Sequence, residues 1–230
     1  LHFQLVRRNF SVVFKNPEFR TYCILIFVGV LFATWGLIRV SETGDAGQAF
    51  RSAAFTVVSI NTTTGFVTDD FNLWPEYLKL FLVVIMMIGG CSGSTSGSFK
   101  VIRIIILLKI IMRELKNLIY PRAIFHVKVG GKTVDADDLS NVAALTFMFM
   151  GFTVLGGIML SGMGVDFTTA LSATVASLFN IGPGLGDVGA MGNYSSIPAM
   201  GKGILILFML LGRLEIYGVI LLFLPMTWRK

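Results

Sequence analysis

The sequence predicts an all-α polytopic membrane protein: two parallel span–half-helix–span repeats with re-entrant loops. Three observations carry this. Apolar residues make up 54% of the 230 and charged residues only 14%, against about 25% charged in an average soluble domain. The apolar residues fall in long blocks, and two of them, TYCILIFVGVLFATWGLI (21–38) and VAALTFMFMGFTVLGGIML (142–160), hold no charge. Each is close to the roughly 20 residues a helix needs to cross a bilayer core. Finally, two short apolar stretches each run into a compact polar turn centred on glycine, SINTTTGFVTDD at 59–70 and FNIGPGLGDVG at 179–189.

Charge sets the order of the elements. The net charge is +6, which could suit nucleic acid, but its distribution argues for membrane topology and against a nucleic-acid partner. Arg7, Arg8, Lys15 and Arg20 precede the first block. Lys100, Arg103, Lys109, Arg113, Lys116, Arg122, Lys128 and Lys132 separate two blocks, and Arg229 and Lys230 close the chain. The stretches around 41–76 and 161–196 carry Glu42, Asp45, Asp69, Asp70, Glu76, Asp166 and Asp187 instead. By the positive-inside rule both termini and the 100–140 region are cytoplasmic and the acidic stretches lie outside, with contact to lipid headgroups as a secondary use of the cations.

The lead-in is 1–20. Segment 21–38 then runs outward, 77–112 inward, 142–160 outward and 203–225 inward. On the outer side remain AGQAFRSAAFTVV (46–58) and FTTALSATVASLF (167–179). Thirteen helical residues reach roughly 20 Å, too short to cross but long enough to enter and return. The chain divides into a first repeat (21–116), a linker (117–140) and a second repeat (141–230), with Gly65 aligned to Gly182. Two interfacial helices with ordinary loops would be the plain alternative, but that leaves unexplained why the most compact polar stretches follow both half-helices. The chain starts at Leu1 with no cleavable signal ahead of its first block, so we expect the latter part of a longer protein. Cys23 and Cys91 lie in apolar surroundings and read as small core residues, not a disulfide.

Irregular backbone at membrane depth is tolerated only where protein buries it or water reaches it. An extended turn there exposes carbonyl oxygens, and rings of such oxygens can replace the water shell of a monovalent cation. Glycine allows the dihedrals that turn successive carbonyls to one side, and the half-helix C-terminus aims its partial negative charge at the same place. Thr63, Thr64, Gly65 and Phe66 suit this use, as do Asn180, Ile181, Gly182 and Pro183.

Two further features sit in the returning spans. MMIGGCSGSTSGSFK (86–100) interrupts an apolar block with residues too small to hold a helix. It is no P-loop, since no Gly-Lys-Ser/Thr closes it, and no nucleophile elbow, since it lacks Gly-x-Ser-x-Gly. A plain glycine linker is disfavoured by the apolar residues on both sides; broken helices at that depth face cavities. MLLGRLEIYGV (209–219) puts Arg213 and Glu215 inside the last span, where charge is costly and points to function. Gly93 lies 28 residues beyond Gly65 and Arg213 lies 31 beyond Gly182, so the two features share a depth. Arg213 and Glu215, two apart, point different ways. A buried ion pair that only fixes packing is the competing use for the arginine.

NTTTGF and NIGPGLG on span–half-helix–span units resemble the third and fourth repeats of the Trk/Ktr/HKT superfamily of cation transporters, in particular its Trk potassium-uptake branch. The resemblance covers nearly the whole chain. It implies potassium uptake through a selectivity filter at the eight turn residues named above, half of a four-repeat pore, with K+ as the transported ion and no cofactor. It implies a gate made by Gly89, Gly90, Cys91, Ser92, Gly93, Ser94, Thr95, Ser96, Gly97 and Ser98 together with Arg213. It also implies an N-terminal half of the same transporter supplying the other two repeats, a homodimer, a cytosolic nucleotide-binding regulatory subunit, and a bacterial-type inner membrane. The residues themselves suit potassium or sodium, with or without a symported ion.

Rival functions fit less well. A secondary symporter for an organic solute and sodium could bind its solute at the serine-rich loop, but such folds usually need inverted repeats and these two are parallel. A membrane enzyme is disfavoured: the sequence shows no zinc-spaced histidine pair, with only His2 and His126 present, and no intramembrane aspartate pair. A purely structural subunit has no need of two re-entrant turns.

Overall fold

The computed structural model describes residues 15–40, 45–94, 96–123 and 125–223. The lead-in up to residue 14, Glu42, Thr95, Arg229 and Lys230 lie outside the described residues. Helix α1 (Pro17–Val40) opens with proline at its first position, which suits a helix start, and Asn16 Oδ1 accepts the N–H of Glu18 at 2.9 Å. The next helices are α2 (Ala46–Asn61), α3 (Glu76–Ile88) and α4 (Val101–Ile119). A two-stranded hairpin, β1 (Lys128–Val129) and β2 (Lys132–Thr133), leads to α5 (Ala136–Gly162), α6 (Phe167–Leu178), α7 (Ala199–Arg213) and α8 (Ile216–Phe223).

Helices α1 and α5 are long and apolar enough to cross a membrane. Their outward faces, with Ile24, Phe27, Leu31 and Trp35 on α1 and Phe147, Val154 and Ile158 on α5, are exposed. Their inward faces are lined by small residues that admit close helix approach. A Cβ on Gly36 would lie 2.9 Å from Leu78 of α3, and one on Gly156 would lie 2.2 Å from Phe208 of α7.

The same element order occurs twice. Both short helices, α2 and α6, are capped by an aspartate: Asp45 accepts the N–H groups of Gly47 and Gln48, and Asp166 those of Thr168 and Thr169. Such caps satisfy donors that the helix leaves open. A capped 3₁₀ turn precedes each returning helix, Phe71–Leu73 capped by Asp70 and Tyr194–Ser196 capped by Asn193, and the second half has a further 3₁₀ turn at Gly186–Val188. A proline, Pro75 or Pro198, then directly precedes α3 or α7.

The expected last span, 203–225, is not continuous. It divides at Leu214–Glu215 into α7 and α8, and Glu215 takes φ +57°. Arg213 therefore ends a helix instead of sitting inside one, where its charge complements the helix C-terminus. The expected segment 77–112 likewise divides into α3 and α4, around the loop from Gly89 to Lys100. Cys23 and Cys91 are free thiols, and neither is a core residue: Cys23 is exposed on α1 and Cys91 is half-buried in the loop.

One buried cluster joins both halves, from Ala33, Val57 and Leu82 to Val175, Leu178 and Phe208. Within it Phe149 stacks on Phe179 at 5.1 Å and meets Phe99 edge-on at 5.8 Å. This trio ties the end of the loop (Phe99) to the end of α6 (Phe179) through α5.

Candidate functional site

The two turns share a backbone design. After α2, the N–H of Thr62 bonds Val58 O (2.9 Å), that of Thr63 bonds Ile60 O (3.0 Å) and that of Thr64 bonds Ser59 O (2.9 Å). After α6, Phe179 bonds Val175 O (2.9 Å), Asn180 bonds Ser177 O (3.2 Å) and Ile181 bonds Ala176 O (2.9 Å). Thr63 and Asn180 both take positive φ, +55° and +56°. A β-branched residue there is an outlier, and such strain collects at functional sites. Gly65 (φ +75°) and Gly182 (φ +112°) follow two residues later.

The turns also touch. A Cβ on Gly65 would lie 2.2 Å from the Ile181 carbonyl oxygen and 3.1 Å from Pro183 Cδ. At Gly182 no atom lies within 4 Å of the same position. Across the loops beyond, the Asn72 amide clasps Gly186 in both directions: its Nδ2 donates to the Gly186 carbonyl and its Oδ1 accepts the Gly186 N–H, each at 3.0 Å. Among the described residues no donor reaches the carbonyls of Thr63, Thr64, Gly65, Asn180 or Ile181. Two carbonyls of the expected set are already held. Ser59 Oγ donates to Phe66 O at 2.6 Å, and Tyr194 OH donates to Gly182 O at 2.6 Å. Burial of Tyr194 lifts its phenol above the usual tyrosine range, which keeps it a donor.

The glycine–serine loop lies against the second turn. Gly97 packs on Asn180 so closely that a Cβ would sit 2.7 Å from the asparagine side chain. The Asn180 amide donates to Met209 O of α7 at 3.2 Å, and Gly212, the residue before Arg213, abuts the Leu178 carbonyl and Asn180 Nδ2. Asn180 is thus the residue on which turn, loop and the end of α7 converge. The loop holds its shape by its own hydroxyls. Ser96 Oγ and Ser98 Oγ are 2.5 Å apart, and the Gly90 N–H donates to Ser98 Oγ at 3.2 Å. Gly89 (φ +66°) must be glycine, since a Cβ would fall 1.4 Å from Ser98 Oγ. Gly93, at φ +81°, meets nothing within 4 Å.

Sequence reasoning missed four contributors besides Ser59 and Tyr194. Glu18, only 6% exposed at the base of α1, accepts the N–H of Ser92 and so tethers the loop to the first helix. Lys100 and Arg103 both bond Glu215 Oε1, at 2.8 Å and 3.1 Å, and Asn72 joins the outer loops. Lys100 (φ +76°) and Glu215 (φ +57°) occupy the same place in their units, directly ahead of the second half of a divided span. The signal for that pair was present as two opposite charges in apolar blocks. Glu18 gave none, because it lies next to the polar lead-in and reads as surface.

The comparisons with known proteins agree with one another. Residues 5–230 match the model of the TrkH family, described as cation transport protein. The Trk system potassium uptake protein TrkH of Halomonas elongata is 42% identical over all of this chain and 47% of its own length. The Escherichia coli K12 protein of the same name is 38% identical, again over 47% of its length. The crystal structure of the potassium transporter TrkH from Vibrio parahaemolyticus superposes with a TM-score of 0.86 at 37% identity, over 94% of this chain and 46% of that one. The chain spans about half the length of the curated relatives it matches.

Proposed function

The chain belongs to the TrkH family of cation transport proteins, integral membrane proteins, and on that premise we propose that it forms two of the four repeats of a potassium-uptake pore. The observation that carries this is the pair of matched turns. Two short helices end in the same hydrogen-bond pattern, pass through the same left-handed residue, and present open carbonyls beside a shared contact. Open carbonyls on irregular backbone can replace the water shell of an ion. Thr63, Thr64, Gly65, Asn180 and Ile181 supply them. Phe66 and Gly182 contribute carbonyls oriented by Ser59 and Tyr194, and Pro183 fixes the chain beyond the second turn.

Below the filter, Gly89 to Ser98 is the gate and Arg213 a fixed charge beside it. The packing of Gly97 and Gly212 around Asn180 supports this reading. Two repeats cannot encircle a single-file pore, so the other half comes from the rest of the polypeptide or from another chain. Homodimerisation and a cytosolic nucleotide-binding subunit complete the proposed assembly. The test is rubidium uptake into vesicles by the complete transporter, with sodium and caesium as competitors. Uptake blocked by caesium but not by sodium is the expected result. Equal competition by sodium would overturn the potassium assignment.

A further inference from the structure

The linker between α4 and α5 folds back on α4. Val127 is buried with Ile106 and Leu139, and the hairpin glycine Gly130 lies against Pro17 at the start of α1. This return sets Phe125, His126 and Lys128 across a cavity of about 380 Å³ from Lys109, Arg113 and Lys116 of α4. The three α4 cations are spaced at i, i+4 and i+7, so they share one face. They are also held in place. The Lys109 ammonium donates to the Lys128 carbonyl, and Lys116 Nζ stands 5.9 Å from the centroid of the Phe125 ring. Arg113 pairs with its chain neighbour Glu114 at 2.7 Å. Among the described residues, therefore, the ammonium groups of Lys109, Lys116 and Lys128 have no carboxylate partner and no carboxylate lines the cavity.

The cavity opens onto an apolar face. Leu108, Ile111, Met112 and Leu115 of α4 are exposed, and Met112 also lines the cavity. A cationic pocket continuous with an exposed apolar helix face fits a molecule with an anionic head and an apolar tail. We propose that this cavity binds the phosphate of an anionic phospholipid, with its acyl chains along Leu108, Ile111 and Leu115. Basic pockets beside membrane helices recognise such headgroups. A topology signal alone needs lysines on one side of the membrane; it does not need the linker to carry Lys128 back to face Lys109. A soluble anion would use the charge of the cavity and leave the apolar face without a role. The proposal rests on the membrane location of the chain and is independent of the filter and gate.

Native mass spectrometry of the complete transporter in detergent tests it, with phosphatidylglycerol, phosphatidylcholine and inorganic phosphate as separate additions. We expect phosphatidylglycerol to be retained and phosphatidylcholine to wash out. Inorganic phosphate at equal concentration should not displace the lipid. The triple variant Lys109→Gln, Lys116→Gln, Lys128→Gln should bind phosphatidylglycerol on the order of a hundredfold more weakly, at about fivefold per cation. The matching triple arginine variant should keep the lipid, which separates lost charge from a damaged fold. Equal retention by wild type and the glutamine variant overturns the proposal, as does equal retention of the two lipids or displacement by phosphate. If another protein segment fills the cavity, the wild type retains no added lipid and the proposal also fails.

Discussion

The two glycine turns are alike in backbone and unlike in surroundings. Each follows a short helix with the same three hydrogen bonds and a left-handed residue. Yet Gly65 is pressed against the Ile181 carbonyl, whereas Gly182 faces open space. The breaks below them differ more: twelve residues, Gly89 to Lys100, divide α3 from α4, and two divide α7 from α8. The difference teaches that the local backbone chemistry of the two turns is held in common, while the segments that return from them are free to specialise. One becomes a loop and the other a short kink ending in charge.

The contrast between the glycines gives the largest expected effect. Gly65→Ala meets both a positive φ and a fixed carbonyl oxygen. Left-handed backbone costs roughly 1–2 kcal/mol, and overpacking adds about 1–3 kcal/mol. Gly182→Ala meets the first cost alone. Thermal melts of the complete protein should show the deeper loss for Gly65→Ala. Equal losses would mean that the turns do not touch in the assembled protein.

Glu18 tests what holds the long break in place. A hydrogen bond to a charged group contributes about 1.5–3 kcal/mol, so Glu18→Ala should release the loop and raise rubidium flux about tenfold. Glu18→Gln keeps an acceptor and should raise it less. Flux that falls in both variants, with assembly intact, would make the tether an aid to conduction instead of a restraint.

Arg213 tests the short break. A unit charge about 5 Å from a permeating ion costs roughly 3 kcal/mol at an effective dielectric of 20. Water screens part of this, and a residual of about 1.4 kcal/mol is a tenfold change in rate. Arg213→Ala should therefore raise flux. A packing role would instead predict a loss of flux through a destabilised bundle. Lower flux with normal assembly would refute the barrier role.

The smallest effect concerns the held carbonyls. Tyr194→Phe removes one hydrogen bond, a loss of about 1 kcal/mol, and frees Gly182 O. We expect a shift in rubidium-over-sodium preference of a few fold with little change in stability. Because the Tyr194 phenol titrates above its usual range, wild-type preference should stay constant up to about pH 10. An unchanged preference in Tyr194→Phe would show that Tyr194 does not set the Gly182 carbonyl.

Much of this protein was legible in the residues because the signals are local. Uncharged blocks and glycine after a short apolar helix each act within a few positions. So the helices α1 and α5, the two short helices α2 and α6, both turns and the small-residue loop could be read in order. The division at Leu214–Glu215 was not, because Leu214 and Ile216 look like any span and only the charges flanking Leu214 disturb the pattern. Tertiary structure alone decided the contacts that join distant segments. Nothing near Gly65 announces the Ile181 carbonyl, nothing near Glu18 announces Ser92, and nothing near Lys100 announces Glu215. These pairs are 74 to 116 positions apart. Periodicity and propensity report how a segment meets its own neighbours. Which carbonyl faces a bare α-carbon, and which carboxylate reaches a loop N–H, is set only when helices pack at a definite depth and rotation.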